Sequence, residues 1–216
     1  MQSILELTAD GSHTLYIPSM DEHYHSVNGA IQESVHVYIE AGLNQCNKPH
    51  VNVLEFGFGT GLNVLLTFRE AQRRQFSVSY TALEKYPLPE TLTGCLNYGR
   101  ALNLPEVFEQ LHTSVWNEPV EITPFFSLQK IETDFLHYNF PACSDVVFYD
   151  AFAPDKQPEA WSQTLFDKIR ERMYPHGILT TYCAKGNVRR MLQHAGFVVE
   201  RIPGPPGKRE MLRGRC

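Results

Sequence analysis

The sequence predicts an α/β protein built on a doubly wound, mostly parallel sheet of seven strands, preceded by a small N-terminal β-hairpin and helix. Two observations predict it. From residue 51 onward, short β-branched and aromatic runs alternate with helical stripes. At the first strand-to-helix junction stands Glu55-Phe56-Gly57-Phe58-Gly59-Thr60-Gly61, a glycine turn that lets backbone approach a nucleotide-like ligand because no Cβ intervenes.

The elements follow in order. Residues 4–8 and 13–17 alternate around Asp10-Gly11 and read as a hairpin. Residues 30–41 carry Ile31, Val35, Tyr38 and Ile39 on one helical face, with Gly42 as a stop. Val51–Phe56 reads as a strand, Leu62–Arg74 as a helix and Val78–Glu84 as the second strand. Helical segments near 89–101 and 104–112 precede a third strand at 125–133. Asp145–Asp150 encloses Val146-Val147-Phe148-Tyr149, which suits a strand buried on both faces. Pro158 opens a helix with Trp161, Leu165, Ile169 and Met173 at four-residue spacing. Residues 177–183 form the fifth strand, and the stripe Val188, Met191, Leu192, Ala195 forms a helix closed by Gly196. The strands at 197–202 and 210–213, joined by a Pro/Gly turn, are expected to pair antiparallel. The 216 residues suit one domain, with residues 1–45 as an extension and 50–216 as the core.

Composition excludes several classes. No apolar run reaches membrane-spanning length, and the N-terminus lacks the basic-then-apolar order of a signal peptide. Five widely spaced cysteines without a Cys-x-x-Cys pair argue against a disulfide framework or zinc site and for a cytoplasmic protein. His23-x-His25 has no further ligand at metal-binding spacing, and no metal is expected. The net charge of −5 argues against indiscriminate nucleic-acid binding, but not against a local basic patch.

The glycine spacing discriminates among cofactors. A dinucleotide fingerprint requires glycine where this chain has Leu62, and a P-loop requires a Lys-Ser/Thr pair that is missing. The Glu-x-Gly-x-Gly-x-Gly order resembles the cofactor loop of Rossmann-like class I methyltransferases that use S-adenosyl-L-methionine. Acids at four strand ends, Glu55, Glu84, Asp134 and Asp150, fit the same site. That resemblance implies cofactor contacts from Glu55, Phe56, Gly57, Gly59, Thr60, Gly61, Asn63, Glu84, Lys85, Asp134, Phe135 and Asp150.

A narrower resemblance spans nearly the whole chain. Tyr24-His25-Ser26 with Glu33-Ser34, the glycine loop through Asn63, and Asp150-Ala151-Phe152-Ala153-Pro154 with Pro158-Glu159-x-Trp161 occur in order. Thr181-Tyr182-Cys183-Ala184-x-Gly186, Ala195-Gly196-Phe197 and Lys208-Arg209-Glu210-Met211 complete the series. Together they resemble the methyltransferase half of the tRNA 5-methylaminomethyl-2-thiouridine-forming enzymes. The departures are His25, where the family suggests Phe, and Pro205-Pro206 before the basic pair. The flavin-dependent oxidase half is missing from this sequence, which implies a stand-alone methyltransferase with a functional link to enzymes that make the aminomethyl intermediate. The resemblance implies a tRNA substrate held at its anticodon arm, methylation of an aminomethyluridine amine, and Asp150 as the catalytic residue. Tyr24, Ser26, Pro154, Tyr182, Lys185, Lys208 and Arg209 are the implied substrate contacts. Lys208, Arg209, Arg213 and Arg215 are expected to form a basic tail, with Arg189 and Arg190 near it. From the residues alone, a class I methyltransferase acting on another amine, in a small molecule or a protein, stays open.

Overall fold

The computed structural model describes residues 3–216. The chain opens with β1 (Ile4–Leu7), β2 (His13–Ile17) and β3 (Glu22–His23), an antiparallel sheet. The Asp10-Gly11 turn gives the expected register, with Ile4 opposite Tyr16 and Leu7 opposite His13. Then come α1 (Ala30–Ser34) and a widened π-helical turn, Val35–Glu40, where a regular helix through residue 41 was expected.

The main sheet begins with β4 (His50–Phe56), followed by α2 (Leu62–Arg74) and β5 (Ser77–Glu84). The segment expected as one helix near 89–101 is two short ones, α3 (Glu90–Thr93) and α4 (Tyr98–Ala101), because Gly94 ends the first and Asn97 starts the second. After α5 (Pro105–Thr113) the chain forms β6 (Pro119–Thr123), β7 (Phe126–Glu132) and β8 (Ser144–Tyr149). Next come α6 (Gln163–Glu171), β9 (Met173–Thr181), α7 (Gly186–His194), β10 (Val198–Pro203) and β11 (Glu210–Arg215).

The strand order is β10-β11-β9-β8-β4-β5-β7-β6. The sheet therefore has eight strands, one more than the sequence predicts. The extra strand, β6, is short, begins with a proline and pairs antiparallel with β7 at the sheet edge, so its alternation is too brief to stand out. β4, β5, β7, β8 and β9 are mutually parallel, and the antiparallel β10–β11 pair is as expected. A second correction concerns residues 158–173. Pro158–Ala160 makes only a 3₁₀ turn, and Ser162 caps α6 by accepting from the Leu165 amide. The Trp161 indole donates to the Phe152 carbonyl at 2.7 Å, which holds it out of the helix, and Met173 already belongs to β9.

Both faces of the sheet are covered. Along β8, Val146 and Phe148 enter the core beneath α2 and α5, while Val147 and Tyr149 enter the core beneath α6 and α7. This period-two alternation explains why the strand reads as an unbroken apolar run. Among the described residues no helix is long and apolar enough to cross a membrane.

β4 and β8 are locked together at the end away from the glycine loop. Buried Asp145 accepts from the Asn52 amide at 2.8 Å, from Asn52 Nδ2 at 3.0 Å and from Lys48 Nζ at 2.5 Å. Replacing Asp145 with Ala strands a buried N–H, whereas the half-exposed lysine contributes little. Asp145→Ala is expected to cost about 2–3 kcal/mol in urea unfolding, with an unchanged denaturant slope.

Candidate functional site

β4 has β5 on one side and β8 on the other, and the chain reaches them by crossovers that leave in opposite directions. A crevice opens at the carboxyl ends of strands at such a switch point. Here it is a cavity of about 510 Å³. Its floor is the Gly57–Asn63 turn and Asp150. One wall comes from Glu84, Lys85 and Phe135, and the other from Tyr24, Ser26, Phe152, Tyr182 and Lys208.

The glycines are set by sterics. Gly57 has φ +96°, and a Cβ there would lie 2.9 Å from the Asp150 carbonyl oxygen. A Cβ on Gly59, φ +48°, would press on the Tyr24 ring at 3.1 Å. Side chains at either position would close the cradle between the first strand and the N-terminal extension. The Gly59 amide donates to Glu84 at 3.0 Å, which ties the loop to the end of β5. Behind the loop, fully buried Lys130 donates to the His112 carbonyl at 2.6 Å and lies over the rings of Phe58 and Trp116. Burial pushes its ammonium down to about 8.

Asp150 follows β8 and sits in a polar net. The Tyr38 hydroxyl donates to Asp150 Oδ1 at 2.5 Å. Asn63 Nδ2 donates to Asp150 Oδ2 at 2.8 Å and to Glu55 Oε1 at 2.9 Å. Burial raises the Asp150 carboxyl from 3.8 to about 7, against the Tyr38 and Asn63 hydrogen bonds that favour its charged form. Burial also holds Glu55 well above the usual carboxylate range. Glu55 Oε2 and Asn63 Oδ1 are buried and have no hydrogen-bond partner among the described residues.

Most of the sequence-predicted residues converge on this cavity. Gly57, Gly59, Thr60, Asn63, Glu84, Lys85, Phe135 and Asp150 line it, as do Tyr24, Ser26, Tyr182 and Lys208. Others stand outside the lining. Phe56 points into the core against Phe135, Phe140 and Tyr149. Glu55 lies beneath the loop and reaches the cavity only through Asn63. Gly61 begins α2 in a left-handed conformation and faces His112. Asp134 pairs with Lys85 at 2.7 Å in a shallow neighbouring depression. Pro154 is buried under its own loop, Lys185 is drawn to Asp155 on the surface, and Arg209 is exposed away from the cavity. The expected basic tail is split. Lys208 turns inward to Glu33, while Arg213 and Arg215 both pair with Glu200.

The N-terminal extension supplies what motif reading missed. His25 Nε2 and Thr60 Oγ1 share a hydrogen bond of 2.6 Å, and the His25 backbone is fixed by Thr14. Burial pushes the His25 imidazole down to about 4, so it is neutral and fastens the extension to the glycine loop. His23 instead bonds Glu6 at 3.0 Å, so the two histidine rings face different partners. Among the described residues no three His, Cys, Asp or Glu side chains gather as a metal site. Tyr38 also escaped as a site residue, and Glu33 stood among the family stretches with no role assigned to it. The one available signal was a tyrosine within an apolar helix face, whose hydroxyl must find a buried partner.

The donor set fits S-adenosyl-L-methionine. A backbone cradle at Gly57–Thr60 suits a ligand that approaches main chain closely, and Glu84, at the end of β5, can accept hydroxyl hydrogens. Asn63, which lines the cavity and has an unpartnered side-chain oxygen, suits a polar amino-acid tail and couples it to Glu55 beneath the loop.

The raised Asp150 carboxyl has a thermodynamic consequence. The folded protein binds its proton more tightly than the unfolded chain, so this contribution to stability is full below about pH 4 and is lost as pH rises through about 7. Without ligand, Asp150→Asn is therefore expected to unfold at roughly 3 °C or more above the parent at pH 8, with the gap closing toward pH 4. Parallel melting profiles would return Asp150 to the ordinary carboxylate range.

Comparison with known proteins agrees with this geometry. The S-adenosyl-L-methionine-dependent methyltransferase family model matches residues 128–216. The tRNA 5-methylaminomethyl-2-thiouridine biosynthesis bifunctional protein MnmC of Magnetococcus marinus is 30% identical over 225 residues, covering 97% of this chain and 33% of that protein. MnmC of Cupriavidus metallidurans is 30% identical over 227 residues, again covering 97% of this chain and 33% of that protein. The chain thus spans about one third of the length of these relatives. Among solved structures, MnmC2 from Aquifex aeolicus is 25% identical, with a TM-score of 0.77 over 99% of this chain and 70% of that one. Spermidine synthase from Thermotoga maritima, 9% identical with a TM-score of 0.57 over 100% of this chain and 72% of that one, shares the fold alone. Glycine cradle, strand order and relatives agree: the chain has the fold of the S-adenosyl-L-methionine-dependent methyltransferases and is similar in sequence along nearly its whole length to the MnmC proteins among them.

Proposed function

We propose that this chain methylates the primary amine of 5-aminomethyl(-2-thio)uridine at the wobble position of tRNA, giving 5-methylaminomethyl(-2-thio)uridine. The observation that carries the reading is the position of Asp150. It lies on the cavity floor between the glycine cradle and a wall that presents the faces and edges of Tyr24, Phe152 and Tyr182. Aromatic walls suit a flat base taken out of its stack, and a carboxyl at the end of that slot suits an amine carried on a short arm. The names of the relatives support the base and the tRNA. The anticodon arm is the proposed docking region, and the cytoplasm is the proposed compartment.

Bound S-adenosyl-L-methionine supplies a methyl group activated on a sulfonium. Gly57, Gly59, Thr60 and Glu84 are proposed to hold it, with Asn63 relaying Glu55. The chain's own task is to present a free amine in line with that methyl group. An alkyl amine is ordinarily protonated at neutral pH, with a reference pKa of about 10.4. Asp150, fixed by Tyr38 and Asn63, is proposed to accept a hydrogen bond from the amine N–H and so aim the nitrogen lone pair. It then receives the proton that the methylated nitrogen gives up. Its carboxyl near 7 lets it take and release that proton close to neutral pH.

Incubation with labelled cofactor and tRNA lacking the final methyl group, followed by nucleoside mass spectrometry, is expected to yield 5-methylaminomethyl(-2-thio)uridine. No such product would sink the proposal. Asp150→Ala is expected to lower kcat by at least ~100-fold while calorimetry shows S-adenosyl-L-methionine affinity within about tenfold of the parent, a span of ~1.4 kcal/mol. Near-normal single turnover in that variant would remove Asp150 from the chemistry.

A further inference from the structure

The corner of the cavity beside Asp150 holds a pair of opposite charges with no part in the steps above. Lys208, on the turn between β10 and β11, lines the cavity, and its Nζ lies 2.8 Å from Glu33 Oε1. Glu33, on α1, is buried, and its other oxygen accepts from the Ser26 amide at 2.7 Å. The Lys208 ammonium also lies 4.0 Å from the centre of the Tyr182 ring. The Tyr182 hydroxyl donates to the carbonyl of Ala151, the residue after Asp150, at 2.9 Å. An ammonium is thus fixed at this corner by one carboxylate and one aromatic face, contributed by segments far apart in the chain.

We propose that Lys208 is a positioning residue that keeps the substrate amine unprotonated, because its ammonium, fixed by Glu33 and Tyr182, makes this corner unfavourable for a second cation. The inference rests on the amine-methylation reading above. A lone carboxylate at Asp150 would stabilise the ammonium form of the substrate and so withhold the lone pair. A like charge in a partly desolvated cavity opposes that stabilisation. Glu33 sets the strength of the effect by offsetting part of the lysine's field. At Asp150 the two act with opposite sign: beneath the larger effect of burial, Glu33 raises the carboxyl and Lys208 lowers it.

Other polar groups lie at or behind the same corner. Tyr38 comes from the π-helical turn, Asn63 from α2, Glu55 from β4 and Tyr80 from β5. Glu22 and His25 come from the extension, and Tyr182 and Cys183 from the segment after β9. None of these groups is itself altered when Lys208 or Glu33 is changed singly, so the variants change only the charge of the pair.

The signs follow directly. Lys208→Met removes the like charge, raises both the bound amine and Asp150, and moves the acid limb of the kcat–pH profile, which reports groups in the enzyme–substrate complex, to higher pH. Glu33→Gln leaves the lysine uncompensated and moves the limb to lower pH. Each shift is expected to be about half to one pH unit. Lys208→Arg is expected to keep the parental limb. A second readout needs no cofactor or substrate: ¹³C NMR titration of the Asp150 carboxyl is expected to move up in Lys208→Met and down in Glu33→Gln. A packing role alone would lower kcat at every pH and leave both midpoints in place. Limbs that stay put, or move in the same direction in the two variants while the parent methylates tRNA, overturn this inference alone. Absence of methylation by the parent overturns the reading of function, and this inference with it.

Discussion

Asn63 gives both hydrogens of one side-chain amide to two carboxyl groups, Glu55 beneath the glycine loop and Asp150 above it. Two ionised carboxylates so close in a buried site would repel each other strongly, and burial alone already favours their neutral forms. The shared amide, with the Tyr38 hydroxyl on the far side of Asp150, satisfies part of this demand without supplying a full counter-charge. The result is a carboxyl held near neutrality at the end of β8, beside a backbone cradle that only glycine can form. Everything else in the site is arranged around that pair of acids. The Asp145 clamp fixes β4 against β8 at one end, and the Asp150 amide, donating to the Phe56 carbonyl at 3.1 Å, holds them together at the other, where Gly57 meets Asp150.

The two chain ends complete the cavity. Met20 and residues 22–27 of the extension and Lys208 of the β10–β11 turn line it, and Lys208–Glu33 joins the two segments across 175 positions of sequence. His25–Thr60 ties the same extension to the glycine loop. The core of the sheet would therefore present a more open crevice without its extension, whose Tyr24 closes the slot edge-on against Phe152. Substitution of His for the Phe suggested by family resemblance is explained locally. A neutral imidazole fills the same space and adds a hydrogen bond to Thr60, at the cost of burying a group that must stay unprotonated.

Much of this architecture was legible in the sequence. Strand–helix alternation gave the parallel core because strands buried on both faces read as apolar runs, and glycine spacing located the cradle because backbone sterics are local. Boundaries blurred where side chains outside the element decided them. Trp161 leaves the helical register to bond the Phe152 carbonyl, and α3 and α4 separate at Gly94 and Asn97. Edge strand β6 was missed because it is held by pairing with β7 and has little pattern of its own.

The sequence by itself determined the order of elements, the glycine turn and the acids at the strand ends, because each depends on residues near one another in the chain. Only the tertiary structure decided which acids face the cavity and which lie beneath it, since one residue's difference along a strand turns a side chain to the other face. It also decided that Lys208 turns inward to Glu33 while Arg213 and Arg215 are held by Glu200, which dissolves the basic tail that the sequence suggests. Charges that share no local pattern find their partners only when the chain folds, because the field at any one of them is set by groups brought together from every element.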